Sequence, residues 1–163
     1  MAQADDNPKP SKTRTAIAAL VLSAAGLVGI VHWEGYSSTA YIPVPGDVPT
    51  IGFGTTAGVK AGDTITPQAA LTRALADVSK FEGALKQCVT VPLSQGEYDS
   101  LVSFSYNVGT AAFCGSTLVK LLNRGQYTAA CAELSKWVYQ GGRVLHGLVK
   151  RREAERAKCE GRA

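Results

Sequence analysis

The sequence predicts an α+β domain: a small β region and a larger helical lobe around a cleft, preceded by an N-terminal apolar helix. Three observations point there. Residues 16–31 run without a charge, AIAALVLSAAGLVGIV. Residues 36–66 are rich in Gly, Pro and Thr with β-branched residues between them, the composition of turns and short strands. From Thr66 to the end, apolar residues recur at helical spacing. The 163 residues are enough for one domain with a real core and a short appendage. No internal repeat or long linker divides them. The expected organisation is a polar tail over 1–14, an apolar helix over 15–33 and a globular domain over 34–163.

In the apolar run, sixteen residues of helix span roughly 24 Å, short of a hydrocarbon core of about 30 Å. Thr15 and His32–Trp33 extend the span toward that length. Half of the sixteen are Ala, Gly or Ser, so transfer into lipid is only marginally favourable. Lys9, Lys12 and Arg14 precede the run and place the N-terminus on the cytoplasmic side. The leading expectation is an anchor that exports the domain and holds the inner membrane weakly through residues 15–33. A signal peptide cleaved near Ser23-Ala24-Ala25 and a core helix of a globular protein are the alternatives.

The elements that follow have local signals. Asp47 lies in Pro-Gly-Asp-Val-Pro, which cannot be helical. Thr50-Ile51-Gly52-Phe53-Gly54 alternates as a strand does, and its glycines permit close backbone approach. Thr66-Pro67 is an N-cap with proline in the first helical position. Leu71, Leu75, Val78 and Leu85 form the expected apolar stripe of that helix. Ser94 and Glu97 have capping-box spacing. Tyr98, Leu101, Val102 and Ser105 share the next face, and Gly109 is its stop. Leu118, Leu121 and Leu122 mark a short helix ending at Asn123-Arg124-Gly125. Ala130, Leu134, Trp137 and Val138 mark another, and Leu145, Leu148 and Val149 begin the last.

The formal net charge is +4. Residues 143–162 account for all of it, with seven positive and three negative groups. A basic face favours an anionic partner such as lipid head groups or cell-wall polymer, unless it is a solvated face of Glu/Arg pairs. The balance is too mild to imply nucleic acid. None of Cys88, Cys114, Cys131 and Cys159 forms a C-x-x-C pair or lies near a histidine, which argues against zinc. In an exported protein they read as two disulfides. Cys114–Cys131 and Cys88–Cys159 are the expected pairs, the first joining neighbouring helices and the second tying the last helix to the start of the lobe.

Between Thr15 and Thr56 there are two carboxylates, Glu34 and Asp47. Glu34 follows the apolar run directly, beside Trp33. A carboxyl held against apolar surface keeps its proton, which suits a general acid. The alternative is an ordinary helix-end glutamate. His32 is close enough to modulate Glu34, or is interfacial or capping; Tyr106 and Asn107 are candidates for the cleft wall, with packing the leading role for Tyr106.

His32-Trp33-Glu34-Gly35, Ala40-Tyr41 and Pro49-Thr50-Ile51-Gly52-Phe53-Gly54 resemble the start of the phage lysozymes of glycoside hydrolase family 24. Tyr106-Asn107-Val108-Gly109 with Ser116-Thr117-Leu118 is similar to that family's helical lobe. Trp137, Gly141-Gly142, Gly147-Leu148, Arg151-Arg152 and Glu155-Arg156 are similar to its end. The resemblance spans about residues 32–159, and the apolar run resembles the anchor of the family's signal-arrest-release endolysins. It implies a lysozyme-like fold and a muramidase that cleaves the β-1,4 bond between N-acetylmuramic acid and N-acetylglucosamine of peptidoglycan. It also implies release from the inner membrane into the periplasm, host cell lysis and no cofactor. A monomer is expected.

The family pattern is Glu, eight residues, Asp, five residues, Thr. Glu34 and Thr50 match its ends, but the loop is one residue longer, and neither Pro43 nor Val44 is an aspartate. Asp47 stands three residues before Thr50. It either substitutes as the second carboxylate or is a turn residue. The expected catalytic set is therefore Glu34, Thr50 and Asp47. Hydrolysis by a water positioned at Thr50 and attack by the sugar's own hydroxyl, as in lytic transglycosylases, both remain open, as does a non-enzymatic wall-binding role.

Overall fold

The computed structural model describes residues 12–162. The polar tail expected over 1–14 lies largely outside them. Lys12 to Ser23 form a strap over the helical lobe. Thr15 pairs with Leu93 as an isolated bridge, with N–H···O distances of 2.8 and 3.0 Å. Arg14 grips Glu97 through Nη2 to Oε1 at 2.7 Å and Nε to Oε2 at 3.0 Å. The Leu22 N–H donates to Glu82 Oε1 (2.7 Å), and the Val21 carbonyl accepts from Gln95 (2.9 Å).

The single helix expected over 15–33 is not what forms. Ile17–Ala19 is one 3₁₀ turn, and helix α1 spans Ala24–Glu34. Ser23 interrupts the run as an N-cap, accepting from the Gly26 N–H, while its own N–H and hydroxyl donate to Asp99. Polar groups of the lobe thus satisfy the backbone where the helix is broken. Among the described residues, no helix is long and apolar enough to cross a membrane.

The β region pairs β1 (Ser37–Tyr41) with β2 (Thr50–Gly52), antiparallel, in register Ser37 to Gly52 and Tyr41 to Thr50 with an irregularity between. Helix α2 (Pro67–Cys88) starts on the Thr66 cap, as expected. Its buried stripe is Ala70, Ala74, Val78 and Leu85. Leu71 and Leu75 are exposed, so the expected stripe was rotated at its first half. The reason is Gly52, whose missing Cβ would sit 2.9 Å from the Ala70 Cβ; only small residues let β2 approach the helix.

Helix α3 (Gln95–Val108) carries the Ser94/Glu97 capping box and is buried from Glu97 through Ser105. It is the axis of the lobe, packed by α1, α2, α4 (Thr110–Gly115) and α7 (His146–Cys159). Helices α5 (Thr117–Leu122) and α6 (Tyr127–Glu133) close one end. The helix expected to run through Val138 stops early: a 3₁₀ turn at Leu134–Lys136 leads into a small hairpin, β3 (Tyr139–Gln140) and β4 (Arg143–Val144). Its turn uses Gly141 and Gly142 at φ 56° and 75°.

Two further expectations change. The disulfides are Cys88–Cys114 and Cys131–Cys159, with Cα–Cα distances of 5.6 and 5.7 Å. The expected pairing assumed that Cys131 faces its neighbour in sequence. Instead the end of α2 lies against α4, and α6 lies against the end of α7. The basic C-terminal stretch is also less of a face than its charge implied, because Arg151 and Arg152 are buried and paired inward.

Candidate active site

Glu34 is the last residue of α1, and Gly35 turns the chain out of the helix at φ 67°. The helix is fixed by buried Ile30 and by Gly26, where a Cβ would lie 2.9 Å from Asp99 Cγ. Those contacts set the depth at which Glu34 emerges. On one side its cavity, about 320 Å³, is lined by Gly35, Tyr36, Ser37, Tyr41 and Gly52 of the β region. On the other, about 490 Å³ is lined by Trp33, Asn107, Gln140, His146 and Arg151 among others. Glu34 belongs to both linings and stands where the β region meets the helical lobe.

The carboxylate does not face apolar surface, as the sequence led one to expect. Arg151 Nη1 donates to Glu34 Oε1 at 2.8 Å, and both side chains are largely buried. The Gly54 position lies against the other oxygen: a Cβ there would be 3.3 Å from Oε2. Tyr106 lies against the same glycine, 3.7 Å from where its Cβ would be, and is not among the residues lining the two cavities. Its hydroxyl donates to the Phe53 carbonyl (2.9 Å), and its ring packs on Phe81 at 4.9 Å. Burial, then the Glu34 charge, pushes the Tyr106 phenol well above its usual range, so it stays a neutral donor.

Thr50 begins β2 and is 6% exposed, with its hydroxyl directed to the Val48 carbonyl at 3.2 Å. It pairs with Tyr41 across the strands and is not among the residues lining either Glu34 cavity. Asp47 lies in the exposed 43–48 loop. Its N–H donates to the Val44 carbonyl (3.0 Å), and its Oδ1 accepts from the Val48 N–H (2.8 Å), which is the geometry of a turn. Among the described residues lining the two Glu34 cavities, Glu34 is the one carboxylate. His32 is exposed and meets Trp33 edge-on at 5.3 Å.

Arg151 is the residue that sequence reasoning missed as part of the site. It was visible in Arg151-Arg152 but read as charge on a surface helix. The signal that could have marked it is spacing: Arg151, Arg152 and Glu155 lie within one turn of each other, so two cations share one carboxylate.

A helical lobe and a small sheet around a glutamate-bearing cleft define a glycoside hydrolase of the lysozyme class. The phage lysozyme family model matches residues 31–155, and the chain belongs to that family. A SAR-endolysin of Pseudomonas phage phiKMV is 41% identical over 140 residues, covering 83% of this chain and 86% of that protein. Two solved structures share the fold. The muramidase domain of SpmX from Asticaccaulis excentricus has TM-score 0.80 at 30% identity, covering 85% of this chain and 97% of that one. A P22 lysozyme mutant has TM-score 0.77 at 33% identity, covering 86% and 99%.

Proposed function

We propose that this enzyme is an N-acetylmuramidase that cleaves the β-1,4 bond of bacterial peptidoglycan, with Glu34 as proton donor to the glycosidic oxygen. The observation that carries this reading is the position of Glu34 at the junction of two open cavities, where a glycan strand laid along the cleft crosses it. Departure of the leaving sugar needs a proton on the glycosidic oxygen. Tyr36, Tyr41 and Trp33 along the walls offer apolar faces to sugar rings.

The second role is open to Thr50, which would position the attacking water once its hydroxyl turns from Val48, and to Asp47 if the 43–48 loop folds toward the cleft. The absence of a second carboxylate among the described cavity-lining residues favours one further reading. In it, the muramic acid 6-hydroxyl attacks C1 as the glycosidic bond breaks and its proton leaves to a base, giving a 1,6-anhydro product without water. Mass analysis of digested peptidoglycan separates the two: hydrolysis gives a reducing muramic acid end, transglycosylation a product lighter by one water. Glu34→Gln should lower either activity about 100- to 10,000-fold, the usual range for a lost general acid. Lysis retained in that variant overturns the assignment.

The N-terminal run fits an anchor that is later released, as the SAR-endolysin names of relatives imply for those proteins. The folded arrangement fits the released state. Arg14 on Glu97 and Thr15 on Leu93 put the strap on the same side of any membrane as the lobe. In this reading the released run supplies α1 and carries Glu34 into the cleft.

A further inference from the structure

Behind Glu34 stands a line of buried charge reaching into the lobe. Arg151 gives Nη1 to Glu34, and its other donors point inward: Nε to Glu155 Oε1 (3.1 Å) and Nη2 to the Ser103 carbonyl (3.1 Å). Glu155 is 4% exposed. Its Oε1 also accepts from the Ser103 hydroxyl (2.7 Å), and its main-chain carbonyl accepts from Ser100 (2.6 Å). Arg152 Nη1 lies 2.9 Å from Oε2 without a directed hydrogen bond. Its guanidinium stacks on Phe104 at 4.8 Å and donates to Asn107. The order is Glu34, Arg151, Glu155, Arg152: alternating signs, with the third member outside both Glu34 cavities.

Burying four charged groups in a row costs more in desolvation than packing alone requires. We infer that Glu155 is a positioning residue for the proton donor: it orients the Arg151 fork onto Glu34 and draws off part of the guanidinium's charge. The inference rests on the muramidase reading. A guanidinium that serves one carboxylate alone stabilises that carboxylate's ionised form, and an ionised Glu34 has no proton to deliver. Sharing Arg151 with Glu155 weakens that bias while the fork geometry is kept. Burial pushes the Glu155 carboxyl above its usual range, against the charges of Arg152 and Arg151 and the hydrogen bonds from Ser103 and Arg151. The groups facing Glu155 are Ser100, Ser103 and Asp99 of α3, Trp33 of α1, and Arg151, Arg152 and Lys158 of its own helix. Those facing Glu34 are Arg151 and His146 of α7, Tyr106 and Asn107 of α3, and the Gly54 backbone.

The test compares the full-length enzyme with Glu155→Gln and Glu155→Asp for kcat, KM and pH profile on purified peptidoglycan. Glu155→Gln should lower kcat about 10- to 100-fold with KM nearly unchanged, the scale of a misoriented catalytic group. Its acid limb, where Glu155 takes up a proton and loosens the Arg151 fork, should flatten, because an amide does not titrate. Glu155→Asp, which keeps the charge, should recover part of both. A folded Glu155→Gln enzyme with parental kcat and limb overturns the inference. NMR titration of the glutamate carboxyls and of Arg151 Nε in the unmodified protein gives a readout independent of variant folding. Glu155 should titrate above the usual glutamate range and carry the Arg151 Nε signal with it, and an Arg151 signal that ignores Glu155 overturns the proposal. If the unmodified enzyme fails to cleave peptidoglycan, the muramidase reading falls, while the NMR result still decides the coupling.

Discussion

Three positions around the cleft separate roles that the sequence left joined. Gly54 has φ 87°, and a Cβ there would press on Glu34 Oε2 at 3.3 Å. Gly54→Ala should therefore cost about 1–3 kcal/mol of backbone strain and also displace the donor carboxylate. Thermal melting reports the first effect and lysis assays the second; activity unchanged at a lowered melting temperature would show that Glu34 has room to move. Thr50→Ala should depress turnover strongly if Thr50 holds the attacking water, and act weakly if its hydroxyl stays on the Val48 carbonyl. Asp47→Asn should act weakly, since its Oδ1 bond to the Val48 N–H survives in an amide. Equal losses in Asp47→Asn and Glu34→Gln would make Asp47 the second catalytic carboxylate.

At the level of elements, the cross-links tie the C-terminal end of α2 to α4 and α6 to the last turn of α7. They close loops with sequence separations of 26 and 28 residues. In the chain-entropy account each such loop stabilises the fold by about 3–4 kcal/mol. Non-reducing peptide mapping should recover Cys88 with Cys114 and Cys131 with Cys159. Cys131→Ala with Cys159→Ala should lower the melting temperature while sparing kcat, because that bridge lies away from the Glu34 cavities. The element boundaries show what local chemistry can encode. Thr66-Pro67 and Ser94/Glu97 set helix starts through caps made by neighbours in sequence. The pairing of cysteines depends on which helices lie side by side, and four cysteines admit three pairings whatever their spacing.

Over the whole molecule, the N-terminal run would carry two demands under the anchor proposal. It packs Ile30 and Gly26 into the lobe, yet Val21 and Val28 remain 65% exposed. Apolar side chains of the run thus stay exposed after docking, which is compatible with the proposed anchor. Leucine at Gly26 would collide with Asp99, and leucine at Ser23 would remove the cap, so either change confuses membrane retention with misfolding. Ala18 and Ala25 are exposed, and Gly29 meets nothing nearer than Lys158 Nζ at 4.0 Å. Ala18→Leu with Ala25→Leu and Gly29→Leu should leave the purified enzyme active. The same changes should hold the exported form in the membrane, each favouring insertion by about a few tenths of a kcal/mol. Fractionation before and after depolarisation checks this. Release as ready as the parent's would remove weak anchoring as the control and favour a cleaved signal peptide.

By itself the sequence determined the α+β class, the capped helix starts, the turn around Asp47 and the placement of Glu34 at the end of an apolar segment. All of these rest on contacts between residues a few positions apart, where composition and spacing are the physics. Only the tertiary structure decided that the 15–33 run breaks at Ser23, which cysteines meet, and that Glu34 faces Arg151 rather than apolar surface. The Arg151–Glu34 contact joins residues 117 positions apart, and the Ser23–Asp99 cap joins residues 76 apart. Such partners are chosen by how α1, α3 and α7 pack. A helix-end glutamate looks the same in sequence whether a guanidinium or a phenylalanine waits across the cleft.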